Sequence, residues 1–334
     1  IYKTYSKEVT LAAGATVTET IDMYDLTEPG FYQLIASVNG NDVCTYNIGF
    51  DPTGIVSPST AIADKFWPYW KEAMDELETI PMDATLIEQP SLSNDYRTAY
   101  IVEMKSVADA EGEEPIVIKG YYFEPKEEGT YPTLIQYQGT DNGKSELTEP
   151  TNDESRKDWC EFILSTRGQR LCRNQNYCWT DAGGNDFYSY GWGDMRKHYY
   201  RNAYLDCVRA VDFVKSREKV DEKAIFAAGG SQGGCFTYVA AGLTQAFRAI
   251  APSITGHADF VDGMRIVNWP RQKFLDAQAA LGWSDKERDE FNSYDELRRK
   301  GELPRNHQLQ LAGHDRPRAH QHRALQPVAE RREG

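Results

Sequence analysis

The chain has 334 residues, 40% of them hydrophobic, and a formal net charge of −14. That length holds one large and one small domain around a sizeable core, and no run of about 18 apolar residues is present to span a membrane. The acidic balance argues against nucleic acid and anionic membrane surfaces, which require clustered Lys and Arg, and favours neutral substrates.

The chain starts at Ile1 without an initiator methionine or a charged-then-apolar leader. This reads as a removed signal or a trimmed start; the compartment is open, with an extracytoplasmic one favoured. Residues 1–52 alternate as strands do, at Lys7 to Leu11, Thr16 to Met23, Phe31 to Val38 and Asp42 to Phe50, with Pro29-Gly30 and Asn39-Gly40 as turns. Four short strands at regular spacing predict a small all-β, sandwich-like domain of immunoglobulin type. Residues 53–60, rich in Pro, Ser, Thr and Gly, read as the linker.

A core follows over residues 61–297. Phe66, Trp67, Trp70, Met74 and Leu77 stand at helical spacing, so Ala61 to Leu77 is predicted as an amphipathic helix. Arg97 to Val107 and Ile116 to Phe123 read as neighbouring strands, and Thr133 to Tyr137 and Glu161 to Ser165 as shorter buried ones. Asp194 to Arg217 carries Tyr200, Tyr204, Cys207, Val208, Val211 and Val214 at three- and four-residue steps and reads as a long helix. The strands Ala224 to Ala228 and Phe247 to Ala251 flank a second helical stretch, Gln232 to Leu243. Alternating strands and helices predict an α/β fold with a doubly wound, mostly parallel sheet, which binds ligands at the carboxyl ends of its strands. Residues 255–294 mix aromatics with charges and read as a helical cap.

Six cysteines show no C-x-x-C and no zinc-like spacing, so no metal is expected. Cys160, Cys207 and Cys235 fall in apolar elements and behave as small hydrophobes. Cys172 and Cys178 share a loop and would pair only in an oxidising compartment.

One motif carries chemistry. Gly229, Ser231 and Gly233 satisfy G-x-S-x-G, in which a strand turns sharply into a helix and leaves the serine strained and exposed as a nucleophile. The glycines are expected both for close backbone approach and for dihedrals that a Cβ disfavours. The alternative is a glycine-rich turn packed in a core.

Arg167-Gly168-Gln169, the text Tyr199-Tyr200-Arg201 through Asp206 and Arg209-Ala210-Val211, and Gly229-Gly230-Ser231-Gln232-Gly233-Gly234 together resemble the acetyl xylan esterase and cephalosporin C deacetylase family of α/β-hydrolases. The match runs from about Phe66 to Ser253. The resemblance implies a serine carboxylic-ester hydrolase acting on small-molecule or oligosaccharide acetyl esters without a cofactor. Ser231 would be the nucleophile, and the backbone N–H groups of Gln232 and, from the segment Gln136 to Thr140, Thr140 would hold the oxyanion. The family has His-Gly-Tyr where this chain has Gln138-Gly139-Thr140, and glycine where it has Arg170. Arg167 is site architecture in the functional reading and a structural ion pair in the plain one. His198 reads as a packed histidine, and His257 is out of order for the base of such a fold, which comes last in the chain.

The tail, residues 298–334, has a different composition. It holds nine Lys or Arg against four acids, one valine and no aromatic residue. Its four histidines, His307, His314, His320 and His322, lack the carboxylates or cysteines of a metal site. Leu309 to Asp315 resembles the family's strand ending in its acidic residue, which makes Asp315 the candidate orienting carboxylate. No histidine with the family's following glutamate comes after it, so the base is unassigned and a truncated or frame-shifted tail with an incomplete triad is expected. Three functions stay open: an acetyl esterase, a prolyl-oligopeptidase-like serine peptidase, and a binding protein on a hydrolase fold that has lost its chemistry. The oligomeric state is equally open, a homo-oligomer included.

Overall fold

The computed structural model describes residues 4–20, 26–54, 63–141, 146–173, 189–255 and 271–295. The chain divides into two compact units, Ile1–Pro58 and Ser59–Gly334.

In the first unit, β1 (Gly30–Val38) and β2 (Asn41–Phe50) form an antiparallel hairpin. It turns through Asn39 and Gly40, both at positive φ, the geometry that asparagine and glycine supply at least cost. No strand forms across residues 4–20, so the sandwich expected there is, among the described residues, a single hairpin. Alternation defined a face along Leu11 and Val17, but these side chains stand exposed, with no second sheet to pack on among the described residues.

The second unit is built on one seven-stranded sheet: β3 (Thr85–Glu88), β4 (Arg97–Ser106), β5 (Ile116–Pro125), β6 (Tyr131–Tyr137), β7 (Cys160–Ser165), β8 (Val220–Gly230) and β9 (Ala249–Ser253). Its spatial order is β3-β4-β5-β7-β6-β8-β9. The pairings among β3, β4, β5 and β7 are antiparallel, and those joining β7, β6, β8 and β9 are parallel. The sheet is therefore mixed rather than mostly parallel. The connections β3–β4 and β4–β5 are too short for the crossover of a dozen or more residues that a parallel pair needs.

Helix α1 (Ala63–Glu78) buries Phe66, Trp70, Ala73 and Leu77, the stripe its spacing predicts. Helix α2 (Tyr199–Lys215) starts five residues later than its pattern suggested, because residues 195–197 form a separate turn before it. All its residues except Asp212 and Lys215 are buried, because it lies between the sheet and α1. Tyr137 on β6 donates its hydroxyl to the Cys207 carbonyl at 3.1 Å, and on the other side Arg209 donates to the carbonyls of Leu77 and Ile80 at 2.8 and 3.0 Å, capping α1. Helix α3 (Gln232–Thr244) follows β8 directly, and α4 (Arg271–Leu281) and α5 (Asp285–Asn292) lie in the stretch read as a helical cap.

A buried ion pair ties the antiparallel half to the loop before β7. Arg97, 0% exposed, donates to Glu161 at 2.6 Å, to Asn152 Oδ1 at 2.8 Å and to the Thr151 carbonyl at 2.6 Å. Removing one member leaves the other charge desolvated, whereas replacing both by apolar groups avoids that penalty. Arg97→Met is expected to lower the unfolding free energy by about 3–5 kcal/mol in urea titration, and the double change R97M/E161M by clearly less. Equal losses would contradict this reading of the pair.

Candidate active site

The topology puts a crevice at the carboxyl end of β6. From β6 the chain crosses to β7 on one side and later returns to β8 on the other, so the connections leave β6 in opposite directions. Such a switch point is where open α/β sheets bind ligands. A cavity of about 460 Å³ lies there, lined by Gln136, Gln138, Gly139, Arg170, Gly230 and Ser253 among others.

Ser231 stands at the turn between β8 and α3, with φ +55° and ψ −121°. A residue with a Cβ held there stores on the order of 1–3 kcal/mol, which the surroundings must over-determine. They do so by close approach. A Cβ on Gly233 would sit 1.9 Å from the Tyr137 carbonyl oxygen, and one on Gly229 would meet the Gly233 oxygen at 2.3 Å. A Cβ on Gly234 would lie 2.6 Å from the Ser253 oxygen. The Ser231 N–H donates to that same Ser253 oxygen at 3.1 Å, pinning the turn to the end of β9. One expectation is corrected here: Gly229 and Gly233 have no left-handed φ, so contact alone selects glycine, and the left-handed residue is the serine itself.

Gln232, the first residue of α3, is 1% exposed. Its N–H is one of the amides that a helix leaves without an internal partner, at the positive end of the helix dipole. The loop after β6 passes directly alongside: a Cβ on Gly139 would stand 3.7 Å from that of Ser231 and 3.4 Å from the Gly230 oxygen. The structure thus brings Ser231, Gln232 and the segment leading into Thr140 together.

A polar network missed in the sequence holds these pieces. Gln169, fully buried, donates from Nε2 to Gln232 Oε1 at 2.9 Å and to the Tyr199 hydroxyl at 2.8 Å, and its Oε1 accepts from the Asp141 N–H at 2.9 Å. Gln232 Nε2 donates in turn to the Tyr200 hydroxyl at 3.1 Å, and the Tyr199 hydroxyl to the Arg167 carbonyl at 2.9 Å. Burial, its largest influence, raises the pKa of Tyr199 and keeps that hydroxyl protonated as a donor. The clue in the sequence was Gln232, a polar residue at the head of an otherwise apolar helix. Gln138, at the position where a histidine was expected, pairs amide-fashion with the Thr148 backbone, donating to its carbonyl and accepting from its N–H, both at 3.1 Å.

Arg167 is 0% exposed and spent inside the protein. Its guanidinium donates to both Asp206 oxygens at 2.6 and 2.9 Å, to Asp109 at 2.8 Å and to the Val107 carbonyl at 3.1 Å. It anchors the β7 turn to α2. His198 is buried before α2, with its ring 5.2 Å from that of Phe291 and 5.9 Å from that of Tyr200. Asp315, His257, His307, His314, His320, His322 and Cys178 lie outside the described residues. Cys160 and Cys172 are buried, and burial pushes their thiols up to about 11 and about 12. No metal-ligating cluster of His, Cys, Asp and Glu occurs among the described residues.

Comparison with known proteins gives a consistent result. The acetyl xylan esterase (AXE1) family matches residues 56–280. Acetyl esterase Axe7A of Xylanibacter ruminicola is 28% identical over 268 residues, which are 78% of this chain and 58% of that relative, so the chain spans less than two thirds of its length. The structure of the acetyl xylan esterase from Paenibacillus sp. R4 is similar with a TM-score of 0.57 at 23% identity, over 71% of this chain and 75% of its own. Acetyl xylan esterase 1 from Thermoanaerobacterium sp. JW/SL YS485 gives 0.56 at 20% identity, over 70% and 73%. At these identities the two structures show the fold, that of the α/β-hydrolase esterases.

Two glycines of α3 separate close approach from helix propensity. Gly233→Ala is expected to destabilise by at least about 1–3 kcal/mol, because the new methyl overlaps the Tyr137 carbonyl. Gly242→Ala meets nothing within 4 Å and should stabilise by roughly 0.5–1 kcal/mol. Thermal unfolding of the two variants checks this, and a Gly233→Ala protein as stable as Gly242→Ala would contradict it.

Proposed function

The chain belongs to the acetyl xylan esterase family, and from that membership we propose that it is a serine hydrolase removing acetyl groups from acetylated carbohydrate through an acyl-enzyme. The observation that carries the reading is Ser231 itself, held at φ +55° at the head of α3 beside the switch-point cavity. A strained serine backed by steric contacts on three glycines has no purpose in a packed turn, where a relaxed residue would serve.

In this reading the Ser231 Oγ attacks the acetyl carbonyl carbon while its proton passes to a base. The carbonyl oxygen becomes an oxyanion that takes hydrogen bonds from the N–H groups of Gln232 and Thr140. Collapse breaks the bond to the sugar oxygen, which leaves with the proton from the base, and water releases acetate by the same steps. Asp315 stays the proposed orienting carboxylate, by its place in the chain. His198 is the one histidine among the described residues and is buried against Phe291, so no base is assigned within that set.

Support for the acetyl ester over the peptide comes from the family match. The first unit, residues 1–52 with their linker, is proposed as a separate β module, and the setting as extracytoplasmic, where a polysaccharide is met. No described helix is long and apolar enough to cross a membrane.

Ser231→Ala should abolish whatever hydrolysis of p-nitrophenyl acetate and acetylated xylo-oligosaccharide the unaltered chain shows, with thermal unfolding unchanged. Turnover by the variant equal to that of the unaltered chain, or cleavage of a proline-containing peptide in preference to the acetyl ester, would overturn the assignment.

A further inference from the structure

Arg170 occupies a place that a side chain does not take up freely. It opens the short turn Arg170–Cys172 with φ +46°, in the left-handed region that favours glycine. Its guanidinium lines the switch-point cavity and donates from Nη2 to the carbonyl oxygen of Gly139 at 2.7 Å. It forms no ion pair among the described residues, and its Nε is buried without a hydrogen-bond partner. The nearby carboxylate of Asp141 accepts from the Arg170 backbone N–H at 3.0 Å and from Arg173 Nη2 at 3.1 Å, and its charge favours the Arg170 cation without a direct side-chain hydrogen bond. A charged side chain held at a glycine-type φ, with the Gly139 carbonyl as its one side-chain partner, needs a reason.

That carbonyl supplies one. The oxygen of Gly139 and the N–H of Thr140 belong to a single peptide unit, in which the two point in opposite directions. Whatever fixes the oxygen fixes the N–H. A cationic donor on the oxygen also polarises the unit, making its N–H a stronger donor toward developing negative charge. The next peptide is held from the same turn, since the Asp141 N–H donates to Gln169 Oε1.

We propose that Arg170 is a positioning residue for catalysis, which orients and polarises the Gly139–Thr140 peptide so that the Thr140 N–H serves as the second oxyanion donor. The inference rests on the esterase reading above, with Ser231 as nucleophile. It adds a cation behind the oxyanion hole, acting through the backbone.

Three variants test it on the full chain with p-nitrophenyl acetate. Arg170→Gly suits the left-handed φ, so its unfolding temperature should stay near that of the unaltered protein. Its kcat should fall about 10- to 100-fold with KM changed less than about twofold, because the lost interaction serves the transition state alone. Arg170→Met, which keeps the bulk without the charge, should show the same split, and Arg170→Lys should recover part of kcat. Guanidinium ion at tens of millimolar should restore kcat in Arg170→Gly but not in Arg170→Met, a rescue that a merely structural role would not give. Unchanged kcat in folded Arg170→Gly and Arg170→Met, or an effect confined to KM, would overturn the proposal. An unaltered chain inert toward the ester would instead overturn the hydrolase reading, and this inference with it.

Discussion

The contact on which the active end of the sheet depends is the one between Gly233 and the carbonyl of Tyr137. With no Cβ at position 233, α3 seats directly against the end of β6; any side chain there would begin 1.9 Å from that oxygen. Because α3 sits so close, the chain leaving β8 has to reverse within one residue, and that residue is Ser231 at φ +55°. The strain is thus a consequence of packing, maintained by contacts on Gly229, Gly233 and Gly234 and by the hydrogen bond from the Ser231 N–H to Ser253. The same seating brings the first amide of α3 and the loop after β6 to either side of the serine.

Behind this end lies a buried polar layer rather than an apolar one. Arg167, Asp206, Gln169, Gln232, Tyr199 and Tyr200 form a connected set in which hydrogen bonds join β7, α2, α3 and the loop after β6. Such a network costs desolvation and contributes little net stability, but when satisfied it specifies one arrangement of its parts. That suits a site whose donors must be held within a fraction of an ångström. The layer also explains why α2 is buried along most of its length while carrying Arg201, Asn202, Asp206 and Arg209: each has a partner inside the protein.

Much of this was legible in the residues. Helix α1 was readable because its burial follows a 3.6-residue period, and the β8–α3 turn because glycines bracket a serine. The mixed sheet was not, since neighbours in sequence are not neighbours in space: only five residues join β5 to β6, yet β7 lies between them. Four-residue β3 is too short to carry a period, and the strands expected before β1 had alternation but no partner sheet among the described residues. The left-handed φ was assigned to glycines, whereas Ser231 and Arg170 carry it. Gln169 was visible only as a letter beside Arg167, because its meaning depends on Asp141 and Gln232, which are far away in the chain.

In the proposed reading this geometry makes Ser231 an activated nucleophile rather than a strained turn residue. Incubation of the folded chain with a fluorophosphonate, followed by intact mass and peptide mapping, tests it most directly, since phosphonylation reports serine reactivity whatever the natural alcohol. One adduct is expected, on the peptide containing Ser231, formed by the native protein and absent after denaturation. A native protein left unmodified, or modified on a different serine, would contradict it.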